Sequence, residues 1–266
     1  MHIKDKRQAV EKITILGAYG TKGSHQETSS FLITESHAID AGNLLRSLDE
    51  DAAHIDAIWL THSHLDHIVD IAYILDSYFT LRKKPLKLMG LPKTLEAVQK
   101  HFLNDIIWPD FSKIPLSNAN EMSVVYETIE LNKRYSIDST TSIEAIATTH
   151  TVPSCGYIVR KNTTAVLITA DTYKNPQLCK TIQKYPEITA LVLECSFPSS
   201  MDTLAFESLH LTPALVEEEI ACIDRKIKLY FNHLKPTFIE QIQKEIYSSN
   251  LLQESIILDD GDTIYF

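Results

Sequence analysis

Apolar and polar positions along the chain change period repeatedly, and the changes mark out short strands and helices. Residues 12–18 alternate and end in Gly17, as a strand entering a loop does. Phe31 to Thr34 and His37 to Asp40 read as a strand pair, closed by Ala41-Gly42, after which Asn43 caps a short helix through Leu44, Leu45 and Leu48. The apolar run Ala57-Ile-Trp-Leu60 reads as a buried strand. Ile68, Ile71, Ala72, Leu75 and Phe79 then recur at helical spacing. Leu86 to Gly90 is a further strand, and Pro92 opens a helix to about His101 at a position where its missing N–H costs nothing. Residues 103–120 follow no period; a cover over a substrate and a packed connection fit them equally.

The second half repeats the mixture. Strands are expected at Val124 to Leu131, Thr141 to Thr148, Cys155 to Arg160, Ala165 to Thr169, Ala190 to Glu194 and Lys226 to Phe231. Helices are expected around Pro176 to Lys184, after the Thr212-Pro213 cap, and from Pro236 to about Tyr247. Two short strands about Asp259-Asp-Gly261 close the chain. No linker or repeat interrupts the pattern, so residues 1–266 read as a single domain of the α/β (α+β) class, with two mixed sheets and helices outside them.

Between the fourth strand and the helix after it stands Thr61-His62-Ser63-His64-Leu65-Asp66-His67. Three imidazoles and a carboxylate in six residues form a metal-ligand cluster, since neutral imidazole nitrogen and carboxylate oxygen are the usual donors to zinc and its neighbours. Residues two apart in an extended segment project to one side, so His62 and His64 can grip one ion while Asp66 and His67 face a second. Three more strands end in a residue suited to metal: His150, Asp171 and His233. Six of the eleven histidines lie in this set or beside it, counting His210, and strand ends along one sheet edge converge.

His62-Ser-His64-Leu-Asp66-His67, followed by His150, Asp171 and His233, resembles the metallo-β-lactamase superfamily, nearly over the whole chain. That resemblance implies a four-layer αββα sandwich with two divalent ions at one edge. One ion would take His62, His64 and His150, the other Asp66, His67 and His233, with Asp171 bridging. Leu193-Glu-Cys-Ser-Phe197, Ser208-Leu-His-Leu-Thr-Pro213 and Asn232-His-Leu-Lys-Pro236 are similar to the class II cyclic-nucleotide phosphodiesterases, and also to the tRNA 3′-processing endonucleases. The endonucleases' tRNA-gripping arm is not apparent, and Leu16-Gly-Ala-Tyr-Gly20 matches their first loop only in part. The class II signature departs at Asp70, where a small residue is expected, and at Ala72, where a larger aliphatic is.

The resemblance implies a binuclear phosphodiesterase acting on 3′,5′-cyclic nucleotides through a metal-bridging hydroxide. Asp66 would orient the nucleophile. His210 would stabilise the phosphoryl oxygens or protonate the leaving oxygen, and Glu194 would hold its tautomer. RNA processing and ester or thioester hydrolysis are the competing activities. The donor set suits zinc foremost, and manganese or iron as well.

Composition narrows the partners. A formal charge of −10 with no basic tract argues against a long nucleic acid and leaves a small anionic phosphodiester open, because bound metal reverses the local sign. The charged start Met1-His-Ile-Lys-Asp-Lys-Arg7 lacks the apolar core of a signal peptide, and no stretch reaches membrane-span length. Four cysteines without close spacing point to reduced thiols in the cytoplasm, with Cys155 and Cys195 as buried fillers. Relatives imply a homodimer. Thr149, Thr151, Ser154 and Ser196 are candidate partners behind the ligands, each more simply a loop hydroxyl.

Overall fold

The computed structural model describes residues 11–117 and 120–266. The charged segment at the start of the chain lies outside them.

Among the described residues fourteen strands form two seven-stranded sheets. The first joins β1 (Lys12–Gly17), β2 (Ser30–Thr34), β3 (His37–Ile39), β4 (Ala57–Trp59), β5 (Leu86–Gly90), β6 (Val124–Thr128) and, beside β1, β14 (Thr263–Tyr265). The second runs from β7 (Arg134–Ser136) through β8 (Thr141–Ala147), β9 (Cys155–Lys161), β10 (Thr164–Ile168), β11 (Ile188–Glu194) and β12 (Lys228–Asn232) to β13 (Ile256–Ile257). Both are mixed: β3 to β6 and β10 to β13 pair in parallel, and the remaining pairs are antiparallel.

The inner faces pack on each other through Ile13, Ile15, Phe31, Trp59, Tyr157 and Val166, all buried. Outside the first sheet lie α1 (Leu45–Leu48), α2 (Leu65–Ser77) and α3 (Pro92–His101), where Ile71, Ile74, Leu95 and Val98 close a second core. Outside the other lie α4 (Leu178–Lys184), α6 (Pro213–Ile220) and α7 (Ile239–Ser248), and α5 (Asp202–Ser208) precedes α6. The layers are therefore helix, sheet, sheet, helix, the expected αββα order. Among the described residues no helix is long and apolar enough to cross a membrane.

Several expectations need correction. Asn43 does not cap α1: its amide donates to Leu16 O and Ser47 Oγ, and the α1 amide of Leu45 is accepted by the buried Asp70 carboxylate at 2.8 Å. Asp70, a departure from the class II signature, thus ties α2 to α1. Cys179 and Cys222 are paired, with Cα atoms 6.1 Å apart, contrary to four reduced thiols. They are 43 residues apart in sequence, and only the packing of α4 on α6 brings them together. Cys155 and Cys195 are buried and free, as expected. Of the unpatterned 103–120 stretch, residues 118 and 119 lie outside the described residues; the rest supplies Leu103, Phe111 and Leu116 to the core, as a packed connection does. β7 and α5 were not expected; each is short and carries no period that stands out from its flanks.

Candidate metal centre

The centre is built on the loops that leave β3, β4, β8, β10, β11 and β12 along one edge of the sandwich. β4 ends at Trp59, and the chain stays buried through Leu60, Thr61 and His62 before His64, in extended conformation, starts α2. Tyr157 Oη donates to Leu60 O at 2.8 Å and Cys155 N to Thr61 O at 3.0 Å, so the second sheet holds the turn from behind.

Asp40, fully buried at the end of β3, organises the same turn. Its carboxylate accepts from Thr61 N at 2.8 Å, Thr61 Oγ1 at 2.7 Å and His67 Nδ1 at 2.7 Å. Thr61 Oγ1, having donated to Asp40, accepts from His62 Nδ1 at 3.0 Å. Both rings therefore carry their proton on Nδ1 and turn Nε2 inward. His150 is set the same way, with Nδ1 donating to Leu209 O at 3.2 Å.

The ligand atoms converge. His62, His64, His150 and Asp171 form one group, and Asp66, His67 and His233 another, each with donor atoms within 4.8 Å of one another. Asp171 stands between: its Oδ2 lies 3.7 Å from His62 Nε2, 3.8 Å from His150 Nε2 and 3.5 Å from His67 Nε2, and its Oδ1 lies 3.2 Å from His233 Nε2. All seven sequence-derived ligand candidates are brought together.

His67 Nε2, His233 Nε2 and Asp171 Oδ1 are buried and lack a hydrogen-bond partner. Unpaired buried polar atoms are costly, and here they face one another across a donor-lined space. That is the arrangement a divalent cation satisfies, so the residues fit two ions.

Electrostatics agree. Burial holds His62 well below its ordinary value and His64 below it, and burial brings His150 down to about 4, so these rings are neutral, the ligand form. Burial alone would raise the Asp171 carboxyl, but His233 and His67 outweigh it and hold it well below the carboxylate range. For His67, burial is outweighed by Asp171 and Asp40, which push it well above the histidine range; a cation bound there takes the place of that proton.

The backbone is unusual at the same places. Asp40, Ala170, Leu209 and His233 adopt positive φ of 56°, 54°, 54° and 62°. Such conformations are disfavoured for residues with a Cβ and concentrate where the surrounding structure must aim a side chain. Three of these residues are, or immediately precede, His233, Asp171 and His210.

His210 sits beside the ligands, its ring stacked on His233 at 5.3 Å between centroids. Its Nδ1 lies 2.6 Å from Glu194 Oε1. Glu194, fully buried at the end of β11, also accepts from Thr172 N at 3.0 Å, Leu211 N at 3.3 Å and Ser196 Oγ at 2.8 Å. It thus binds the residues that follow Asp171 and His210. Burial would lower His210, but Glu194 outweighs it and raises the imidazole.

Sequence reasoning missed Asp40 and Thr61, although Asp40 also ends a strand in a carboxylate, the signal that pointed to Asp171. Ser196 proves more than a loop hydroxyl: its Oγ lies 3.0 Å from His233 Nδ1. Thr149 contributes its amide to Thr172 Oγ1, and Ser154 and Thr148 share a hydroxyl contact of 2.6 Å behind the site. Thr151 is exposed.

Comparison with known proteins gives a consistent picture. The sequence profile of the family described as "cAMP phosphodiesterases class-II" matches residues 8–250. A 3′,5′-cyclic-nucleotide phosphodiesterase of Schizosaccharomyces pombe is 20% identical over 221 residues, 76% of this chain and 61% of that protein. The 3′,5′-cyclic-nucleotide phosphodiesterase 1 of Saccharomyces cerevisiae is 30% identical over 92 residues, 34% of this chain and 25% of that protein. The matched region thus spans less than two thirds of either relative. Among solved structures, unliganded yeast PDE1 superposes with a TM-score of 0.80 at 18% identity, covering 97% of this chain and all of that one (100%). The metallo-β-lactamase fold protein YhfI of Bacillus subtilis gives 0.75 at 18% identity, over 96% and 98% of the two chains. The short form of human tRNase Z gives 0.66 at 19%, over 95% and 98%. At these identities the structures establish the metallo-β-lactamase fold.

Proposed function

The chain belongs to the class-II cAMP phosphodiesterase family, and on that premise we propose that it hydrolyses the phosphodiester of 3′,5′-cyclic nucleotides, cyclic AMP first. The observation that carries this reading is the convergence of seven ligand candidates, three with orphaned buried atoms, beside an imidazole raised by a buried glutamate. The whole described chain acts as one hydrolase domain in this reading.

His62, His64 and His150 would hold one divalent ion and Asp66, His67 and His233 the other, with Asp171 shared. Bound there, the ions supply Lewis acidity to the phosphoryl group and lower the pKa of water; the nitrogen-rich donor set favours zinc, with manganese and iron as alternatives. Asp66 has the role of orienting the attacking water, its side chain being 26% exposed where those of His62, His67, His150, Asp171 and His233 are at most 2%. His210 acts from the side of His150 and His233. Its Nδ1 proton is held by Glu194, which leaves the Nε2 proton for the leaving 3′-oxygen or a phosphoryl oxygen. Glu194 is a positioning residue: it touches His210 and the backbone after Asp171, and it stays buried behind both.

The test is turnover of cyclic AMP and bis-p-nitrophenyl phosphate by zinc- or manganese-loaded protein, beside His210→Ala. The expected result is hydrolysis of both, with kcat for cyclic AMP down about 10²–10⁴-fold in the variant while both ions stay bound. Cleavage of the chromogenic diester alone refutes the cyclic-nucleotide substrate and turns attention to small RNAs. No cleavage of either, with both ions bound, refutes the phosphodiesterase.

A further inference from the structure

Beside the centre lies a cleft of about 480 Å³, between the loop that follows β1 and the first turns of α2. Its volume falls in the range of small-molecule sites, about 300–1,000 Å³. Asp66 opens onto it, and the other ligands with near-zero exposure do not line it.

The cleft has a chemically divided lining. Leu65, 60% exposed, and Val69 follow each other by one helical turn and form an apolar floor. Across from them stands Lys235, two residues after His233, with Nζ donating to Gly20 O at 2.6 Å. An ammonium has three donors, and among the described residues no carboxylate pairs with this one. Lys22, also in the lining, differs: Glu27 accepts it in an ion pair at 3.2 Å.

The facing loop is built to stay in place. Tyr19 Oη donates to Asp259 at 2.9 Å, and the amides of Ala18 and Glu27 donate to the two oxygens of Asp260 at 2.8 and 2.9 Å. A Cβ on Gly20 would stand 2.7 Å from the His233 ring, so this backbone lies directly on a ligand, and its carbonyl holds Lys235. A wall fixed at both ends, an apolar floor and, beside the centre, a cation with no carboxylate partner among the described residues form a pocket for an anion carrying a partly apolar group.

We propose that this cleft seats the nucleoside half of the substrate, with its ring against Leu65 and Val69 and with Lys235 donating to an oxygen of its phosphate. The proposal rests on the phosphodiesterase reading above and deepens it. Lys235 becomes a substrate-binding residue and Leu65 a determinant of substrate class.

The experiment uses metal-loaded protein as wild type, Lys235→Met, Lys235→Arg and Leu65→Ser. Substrates are cyclic AMP and methyl p-nitrophenyl phosphate, a diester too small to reach Leu65. KM for cyclic AMP rises at least ten-fold in Lys235→Met and is restored largely by Lys235→Arg, since a charge-assisted donor is replaced. In Leu65→Ser the ratio of kcat/KM for cyclic AMP to that for the small diester falls at least ten-fold. A Lys235→Met enzyme with wild-type KM, or a Leu65→Ser enzyme with an unchanged ratio, overturns the proposal. If wild type cleaves no cyclic nucleotide, the substrate reading falls, and calorimetric titration with AMP judges the pocket alone. Binding at least ten-fold weaker in both Lys235→Met and Leu65→Ser upholds it; equal binding, or none to wild type, overturns it.

Discussion

Replacing Asp40 by Asn tests whether a residue that touches no ion governs the second one. The carboxylate accepts three hydrogen bonds, from Thr61 N, Thr61 Oγ1 and His67 Nδ1. An amide has one oxygen, so it cannot accept all three. If the oxygen stays on Thr61 N, the –NH₂ faces His67 Nδ1 and donates to it. The ring proton then moves to Nε2, the atom that must be bare to bind a cation. If the amide flips, its –NH₂ meets Thr61 N–H, and a buried donor goes unpaired at about 1–3 kcal/mol. The unpaired donor disfavours the flipped arrangement, so the first one governs, and the Asp66, His67 and His233 group loses affinity by about 10–100-fold for a lost partner behind a ligand, or roughly 1.4–2.7 kcal/mol at 1.36 kcal/mol per decade. The assay is competition for zinc with a chromophoric chelator at neutral pH, counting ions per chain. Asp40→Asn should retain one tight ion and weaken the other, with its circular dichroism spectrum unchanged. Two ions bound at wild-type affinity would refute the tautomer argument.

Two further outcomes follow from single contacts. Gly20→Ala places a methyl group 2.7 Å from His233, whose Nδ1 also contacts Ser196; overpacking of about 1–3 kcal/mol is expected, seen as a lower melting temperature together with weakened zinc binding in the chelator assay. An unchanged melting temperature would show that the loop yields freely. His37 accepts the indole N–H of Trp59 on Nδ1 at 3.1 Å, and burial lowers its pKa. The folded state thus prefers the neutral ring: the stabilisation is complete above the unfolded value near 6.5 and is lost as pH falls from there to the folded value. Melts of metal-loaded protein between pH 7.5 and 5.5 should therefore show a steeper loss for wild type than for His37→Gln, which accepts the indole but does not titrate in that range; equal slopes would contradict it.

What the sequence determined by itself was the local part of this protein. The period changes located most strands and helices, because each buries one face and the 2.0 and 3.6 residue repeats are written in the order of side chains. The ligand types were legible for the same reason: His62, His64, Asp66 and His67 lie within one turn, and His150, Asp171 and His233 each follow a strand within three residues. Tertiary structure alone decided what stands behind them. Asp40 precedes His67 by 27 residues and Glu194 precedes His210 by 16, so their partnership depends on which loops share a sheet edge. Asp70 was a departure from a signature until the α1 amide appeared opposite it. Cys179 and Cys222 were unrelated thiols until α4 packed on α6. Hydrophobic burial sets periodicity residue by residue, whereas hydrogen-bond partners are chosen by the path of the chain through space, which no short window of sequence contains.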